Sequence, residues 1–327
     1  MSDRTDFGTG VILRKEQMMA GYLIKRMAVG IFAMWILVTS AFFLTRMMPG
    51  TPFDSGNVSG TVLQKMEQEY GLDRPVSEQY FQYLGNLLKG DLGISFKKPG
   101  VTVSEVIARA FPVTFSIGAP ALLLAFLLGT AGGALRVFSR HTWVRRAAAV
   151  LTAAGSSMPN FITAMLLSLF FGVILQWFPV SGLFSPWHYV LPVVSLALYP
   201  ASVFAGLTYT SLRDVMEEDY ILLIKTKGLK KRRVAGHVLK NALLSSVTYL
   251  GPAASLLLTG SFAVESIFTI PGLGREFVNS IANRDYTMIM GLTIFMGIMV
   301  WMIQIASDLF CMALDPRIRK NVNREET

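Results

Sequence analysis

The sequence predicts an all-α polytopic membrane protein with six transmembrane helices, and three observations lead there. First, 52% of the 327 residues are hydrophobic and only 16% are charged, with a mean hydropathy of +0.48. Soluble domains carry about 25% charged residues and no such apolar excess. Second, charge-free intervals long enough for a helix to cross about 30 Å of hydrocarbon recur along the chain. Third, Lys and Arg gather in alternate connecting segments, the bias that orients a membrane protein.

The first interval covers residues 27–45, between Arg26 and Arg46, and the second residues 112–135, between Arg109 and Arg136. No formal charge lies between Arg146 and Arg213, a stretch too long for one crossing. Pro179, Ser181, Gly182 and Pro186 divide it, giving spans at 147–178 and 189–212. A fifth is expected at 242–270, with Glu265 near its far end, and a sixth at 288–313, with Asp308 near its end. The N-terminal stretch is polar for too long to be a cleavable signal, so the first span stays as a membrane helix.

Six spans leave both termini on one side. That side carries Arg4, Arg14, Lys15, Lys25 and Arg26, then Arg136, Arg140, Arg145 and Arg146, then the cluster from Arg213 to Lys240, and finally Arg317, Arg319, Lys320 and Arg324. It is therefore the cytoplasmic side. The net charge of +9 belongs to these loops. Membrane lipid explains it better than nucleic acid, for which no basic stripe with interleaved aromatics exists.

Residues 212–244 form the only long polar segment in the C-terminal two thirds. It opens with Asp214, Glu217, Glu218 and Asp219, passes through Ile221, Leu222, Leu223 and Ile224, and turns basic from Lys225 onward. Acid first and base last suits a helix macrodipole, and Gly228 suits a helix end. A short helix, a glycine break and a second helix are expected. A plain basic loop explains the cations; the ordered layout around four consecutive apolar residues favours a docking element. In the outer loop at 49–111, residues 61–70 and 77–89 read as short helices ended by Gly71 and Gly90. Tyr80, Tyr83, Leu84, Leu87 and Leu88 make one apolar face of the second, suited to a cap on the ends of the spans.

Catalytic signatures are missing. There is no G-x-x-x-x-G-K-[ST] motif, so any ATP is bound elsewhere. His141, His188 and His237 are scattered, with no ligand spacing for a metal. No nucleophile elbow or Ser/His/acid grouping is found. Cys311 is the single cysteine, which rules out an intrachain disulfide. Glu265 has two open readings: a functional intramembrane carboxylate, or an interfacial group hydrogen-bonded to the turn at Pro271, Gly272, Leu273 and Gly274. The methionines of the last span can line a pathway or simply pack.

Several blocks, in order, carry a resemblance. Met48-Pro49-Gly50-Thr51-Pro52 follows the first span, and Tyr70-Gly71-Leu72-Asp73-Arg74-Pro75 leads to Gly90-Asp91-Leu92-Gly93. Ser157-Met158-Pro159-Asn160-Phe161 and Phe178-Pro179-Val180-Ser181-Gly182 come next. Glu218-Asp219-Tyr220 runs through Gly228-Leu229 to Lys240-Asn241-Ala242-Leu243-Leu244, then Val264-Glu265-Ser266-Ile267-Phe268 leads to Pro271-Gly272-Leu273-Gly274. Leu314-Asp315-Pro316-Arg317-Ile318-Arg319 closes the series. Together they resemble the dipeptide/oligopeptide and nickel permease family of ABC importers, in particular its first, B-type, oligopeptide-permease-like subunit. Two departures stand out: Leu222-Leu223-Ile224 where many permeases have Glu-Ala-Ala, and Ser245 where proline is frequent.

The resemblance covers residues 22–320 as one permease domain of the type I importer kind, between cytoplasmic tails at 1–21 and 321–327. It implies a multi-pass subunit of a bacterial plasma (inner) membrane with both termini cytoplasmic, and no catalysis or cofactor of its own. A second homologous permease, two ABC ATPases that bind ATP and Mg, and an extracytoplasmic substrate-binding protein delivering peptide are the implied partners. Nickel chelates or other peptide-like cargo are the alternative within the family; a secondary transporter or channel is the alternative outside it. Coupling to the ATPases is expected through Glu218, Asp219, Tyr220, Ile221, Leu222, Leu223, Ile224, Lys225, Lys227, Gly228 and Leu229. Glu265, Phe268, Pro271, Gly272 and Gly274 are the gate or pathway candidates.

Overall fold

The computed structural model describes residues 3–49, 71–219, 221 and 231–314. Among them the regular elements are helical, with one isolated antiparallel bridge between Ile94 and Thr102. Helix α1 runs Asp3–Met47, α2 Val76–Leu88, α3 Val103–Phe138, α4 Thr142–Ser157 and α5 Asn160–Leu167, the last continuing as a π-helical stretch over Ser168–Ile174. Then follow α6 Trp187–Glu217, α7 Lys231–Thr248, α8 Leu250–Leu258, α9 Phe262–Ile267, α10 Leu273–Ala282 and α11 Tyr286–Leu314. Among the described residues, five stretches are long and apolar enough to cross a membrane: Ile24–Met47, Val103–Phe138, Trp187–Glu217, Leu250–Ile267 and Tyr286–Leu314.

The expected third span, 147–178, is not one straight crossing. α4 and α5 meet at an angle of 110°, and counting the bent pair as one span brings the total to six. Pro159 causes the bend. It has no N–H to continue the α4 ladder, and it drives Met158 into an extended conformation, with ψ 124°. The expected fifth span, 242–270, is likewise broken. α7 gives way to α8 at Tyr249, and Gly260, at φ +101°, breaks the chain again before α9. The first span is the apolar half of a helix that already begins at Asp3, where the sequence suggested a tail.

α3 and α6 form the centre. A capping box starts α3, with the Glu105 N–H donating to Thr102 Oγ1 at 3.2 Å and the Thr102 N–H to Glu105 Oε2 at 3.3 Å. The two helices approach closely because α3 presents small residues. A Cβ at Gly133 would lie 2.6 Å from the Ala205 carbonyl oxygen and 2.7 Å from Thr208 Cβ. Ile117, Ala121, Ala125, Leu196, Phe204 and Leu257 build the buried core across α3, α6 and α8. α11 packs on α1, where Asp308 forms an ion pair with Arg26.

Outward, Trp35, Leu123, Leu127, Phe170 and Trp177 are exposed, the reverse of a soluble fold and suited to hydrocarbon. α2 caps one end of the bundle as expected. Tyr80 packs on Phe42 and Phe43, and its hydroxyl lies 2.7 Å from Thr39 Oγ1. Burial raises the pKa of the Tyr83 phenol on the same face. Leu88 departs from the expected apolar face: it is 89% exposed. The helix expected at residues 61–70 lies outside the described residues.

Candidate functional site

Two regions at opposite ends of the bundle hold the residues singled out by sequence. At one end, the chain after α8 turns back on itself, and Glu265 is its organiser. Its carboxylate is fully buried. Oε1 accepts from the Thr114 hydroxyl of α3 at 2.9 Å, and Oε2 from the Arg275 N–H of α10 at 2.9 Å. Thr114 Oγ1 in turn accepts from the Leu273 N–H at 2.8 Å. The Glu265 backbone carbonyl also closes the loop, accepting from the Ile270 N–H at 2.7 Å. A buried carboxylate is tolerable in apolar surroundings only with such partners.

The glycines of the turn are fitted to that carboxylate. A Cβ on Gly272 would meet Glu265 Cδ at 2.5 Å and Thr114 Oγ1 at 2.6 Å. On Gly274 it would meet the Phe262 nitrogen at 2.6 Å. Of the five residues expected to act as gate or pathway, Glu265, Phe268, Gly272 and Gly274 are thus buried together, while Pro271 is exposed. Phe268 also ties in the loop after the bent pair, its carbonyl accepting from the Gly182 N–H at 2.9 Å. Of the two readings of Glu265, the hydrogen-bonded turn is the one whose contacts are present.

Sequence reasoning missed the neighbouring clamp. Asp285, buried at the start of α11, accepts from the Ser95 hydroxyl, from the Phe96 N–H at 3.1 Å and from the Met288 N–H at 3.3 Å. Lys98 and Glu276 pair at 2.7 Å beside it. The segment at 95–98, ahead of α3, is thereby bound to α10 and α11. The spacing of an acid just ahead of a long apolar run was a readable N-cap signal; its distant partners were not.

At the other end, α6 continues unbroken to Glu217, three residues beyond Asp214, where a separate helix was expected to begin. Leu212 and Val215 keep its apolar face in contact with α7, so no break is needed there. The helix stops at Glu218, which is extended at ψ 141°. Glu218 and Asp219 are exposed, but Ile221 is fully buried against Leu212, Val238 and Ala242. Ile221 therefore closes the loop onto its own bundle instead of standing free for a partner. Tyr220, Leu222, Leu223, Ile224, Lys225, Lys227, Gly228 and Leu229 lie outside the described residues. Below the cluster, Thr208 Oγ1 and Ser246 Oγ are 2.7 Å apart, and Ser245 donates to Ser211 at 3.1 Å. Ser245 thus hydrogen-bonds to α6, where a proline would have no hydroxyl to offer.

No group of three or more His, Cys, Asp and Glu side chains converges to hold a metal ion among the described residues. What the two ends offer is a hydrogen-bonded polar turn and, after α6, two exposed carboxylates at Glu218 and Asp219.

Residues 121–320 match the model of the family described as the binding-protein-dependent transport system inner membrane component, and residues 19–118 match that of its N-terminal region. The chain belongs to this family. Such a permease has close curated relatives. It is 39% identical over 303 residues to the dipeptide transport system permease protein DppB of Bacillus subtilis, covering 92% of this chain and 98% of the relative. It is 35% identical over 309 residues to the oligopeptide transport system permease protein OppB of Salmonella typhimurium, covering 92% and 100%. Among solved structures, the inward-facing MetNI methionine ABC transporter aligns at TM-score 0.54 and 19% identity, over 64% of this chain and 96% of that one. An amino acid ABC transporter aligns at TM-score 0.51 and 13% identity, over 64% and 94%. The fold of this permease is accordingly that of ABC-importer membrane subunits.

Proposed function

We propose that this permease forms half of the translocation pathway of an ATP-driven peptide importer, carrying dipeptides or oligopeptides inward from an extracytoplasmic binding protein. The observation that carries the reading is identity of 35–39% to dipeptide and oligopeptide permeases along 92% of the chain. A second homologous permease supplies the other half. Two ATPases, which bind ATP and Mg, sit beneath the loop at 212–244. Both termini and that loop are cytoplasmic, following the Lys and Arg bias, and the Glu265 turn then lies toward the outside.

Mechanically, the ATPases contact the exposed acids Glu218 and Asp219 and the segment after Ile221. Ile221, packed on Leu212 and Val238, transmits the movement into α6 and α7. Those helices and the α3 packed against α6 carry it across the membrane to the turn at 268–274. Only partners that bind the two states of the bundle differently can drive the change.

The test is uptake of labelled di- and oligopeptides by cells lacking this gene, with and without the gene restored. The reading expects peptide uptake only with the gene and only while ATP is available. Uptake that persists after ATP depletion and collapses with the ion gradient would overturn it in favour of a secondary transporter.

A further inference from the structure

A cavity of about 630 Å³ opens at the loop end of the bundle, between the end of α3, the start of α4 and the end of α6. Its lining holds four arginines, Arg136, Arg145, Arg146 and Arg213, against a single carboxylate, Glu217. That carboxylate is already engaged at 3.5 Å by Arg213. The Arg136 guanidinium stacks over the Tyr209 ring at 3.7 Å, which fixes its plane. Arg145 and Arg146 are exposed and have no carboxylate partner among the described residues. Like charges gathered around one space repel one another, and an anion that enters removes the repulsion. Guanidinium forks match phosphate oxygens in particular.

Exposed side chains next in sequence to the lining residues Arg136, Val137 and Thr142 identify the source of the phosphate. Leu135 and Phe138, at the end of α3, are 53% and 40% exposed, and Trp143, on the first turn of α4, is 72% exposed. Exposed apolar side chains and a Trp on the same helix ends as a basic cavity describe the membrane–water interface, where acyl chains lie beside headgroups. A water-soluble acidic partner would be expected beside polar helix ends instead.

We propose that this cavity binds the phosphate headgroup of an anionic phospholipid, with the acyl chains against Leu135, Phe138 and Trp143. This goes beyond transport and does not depend on the identity of the cargo. The bound lipid would sit beside the last turn of α6, one residue before the loop begins at Glu218.

The test is native mass spectrometry of the full chain, purified with whatever accompanies it, after exchange into phosphatidylglycerol or phosphatidylcholine of the same acyl chains. The wild type is expected to retain phosphatidylglycerol selectively. Arg145→Gln with Arg146→Gln is expected to lower that retention roughly tenfold or more, Arg145→Lys with Arg146→Lys to keep most of it, and Arg140→Gln, outside the cavity, to change nothing. Equal retention of the two lipids, or a double Gln variant that binds as the wild type does, overturns the proposal. So does displacement of the lipid by inorganic phosphate, which would make the site one for a free anion. Loss of bound ATPase with lipid unchanged would assign the arginines to a protein contact and overturn it as well.

Discussion

The two ends of this permease are built by opposite means. Around Glu265, three helices and a turn are joined by a buried carboxylate, a hydroxyl and backbone amides, and the glycines leave no slack around them. Around Ile221, four buried apolar side chains hold the loop to α6 and α7, and the charges outside them are free to be read by a partner. A polar network over-determines its geometry, because each group left unpaired is costly. A small apolar cluster is non-directional and tolerates adjustment. The first end suits a fixed frame and the second a joint that follows a moving subunit.

The largest effect that would break this contrast is expected from Glu265→Ala. It strands the Arg275 N–H and the Thr114 hydroxyl in a buried site, at about 3 kcal/mol. The loss should register as a lower apparent Tm of the purified chain and loss of peptide uptake. Gly272→Ala, which forces a methyl against Glu265 and Thr114, should cost about 2 kcal/mol by the same assay. At the other end, Thr208→Val leaves Ser246 without its partner and should cost about 1 kcal/mol, with uptake largely kept. Exchange of Glu218 and Asp219 for Lys should change stability by less than about 0.5 kcal/mol yet release the ATPases on co-purification. A destabilisation at Glu218 as large as that at Glu265 would erase the distinction.

Most of the spans were legible because charge-free intervals report which segments can enter hydrocarbon. They do not report where the backbone turns within them. The bend at Met158 and Pro159 was readable locally, from a proline whose predecessor must be extended; the interval's uniform apolarity hid it. The second break, at Gly260, depends on a carboxylate five residues on and a helix far back in the chain. Asp285 shows the limit most clearly, since its Ser95 partner lies 190 residues away. Ile221 misled in the other direction. Four consecutive apolar residues suggested an outward-facing docking patch, but Val238 and Ala242, on the next helix, bury the first of them. In the Glu265 turn, sequence alone left two readings of equal standing, and the positions of Thr114 and Arg275 supply the contacts for one of them.

On the proposed function, the loop after α6 meets the ATPases while the Glu265 turn does not. Cross-linking separates the two ends. In a Cys311→Ser background, single cysteines are placed at Glu218 and at Ser266, both exposed, and native membranes are treated with a short thiol-to-amine reagent. An ATPase adduct is expected from position 218 and none from position 266. An ATPase adduct from position 266, or its absence from position 218 in an intact complex, would contradict it.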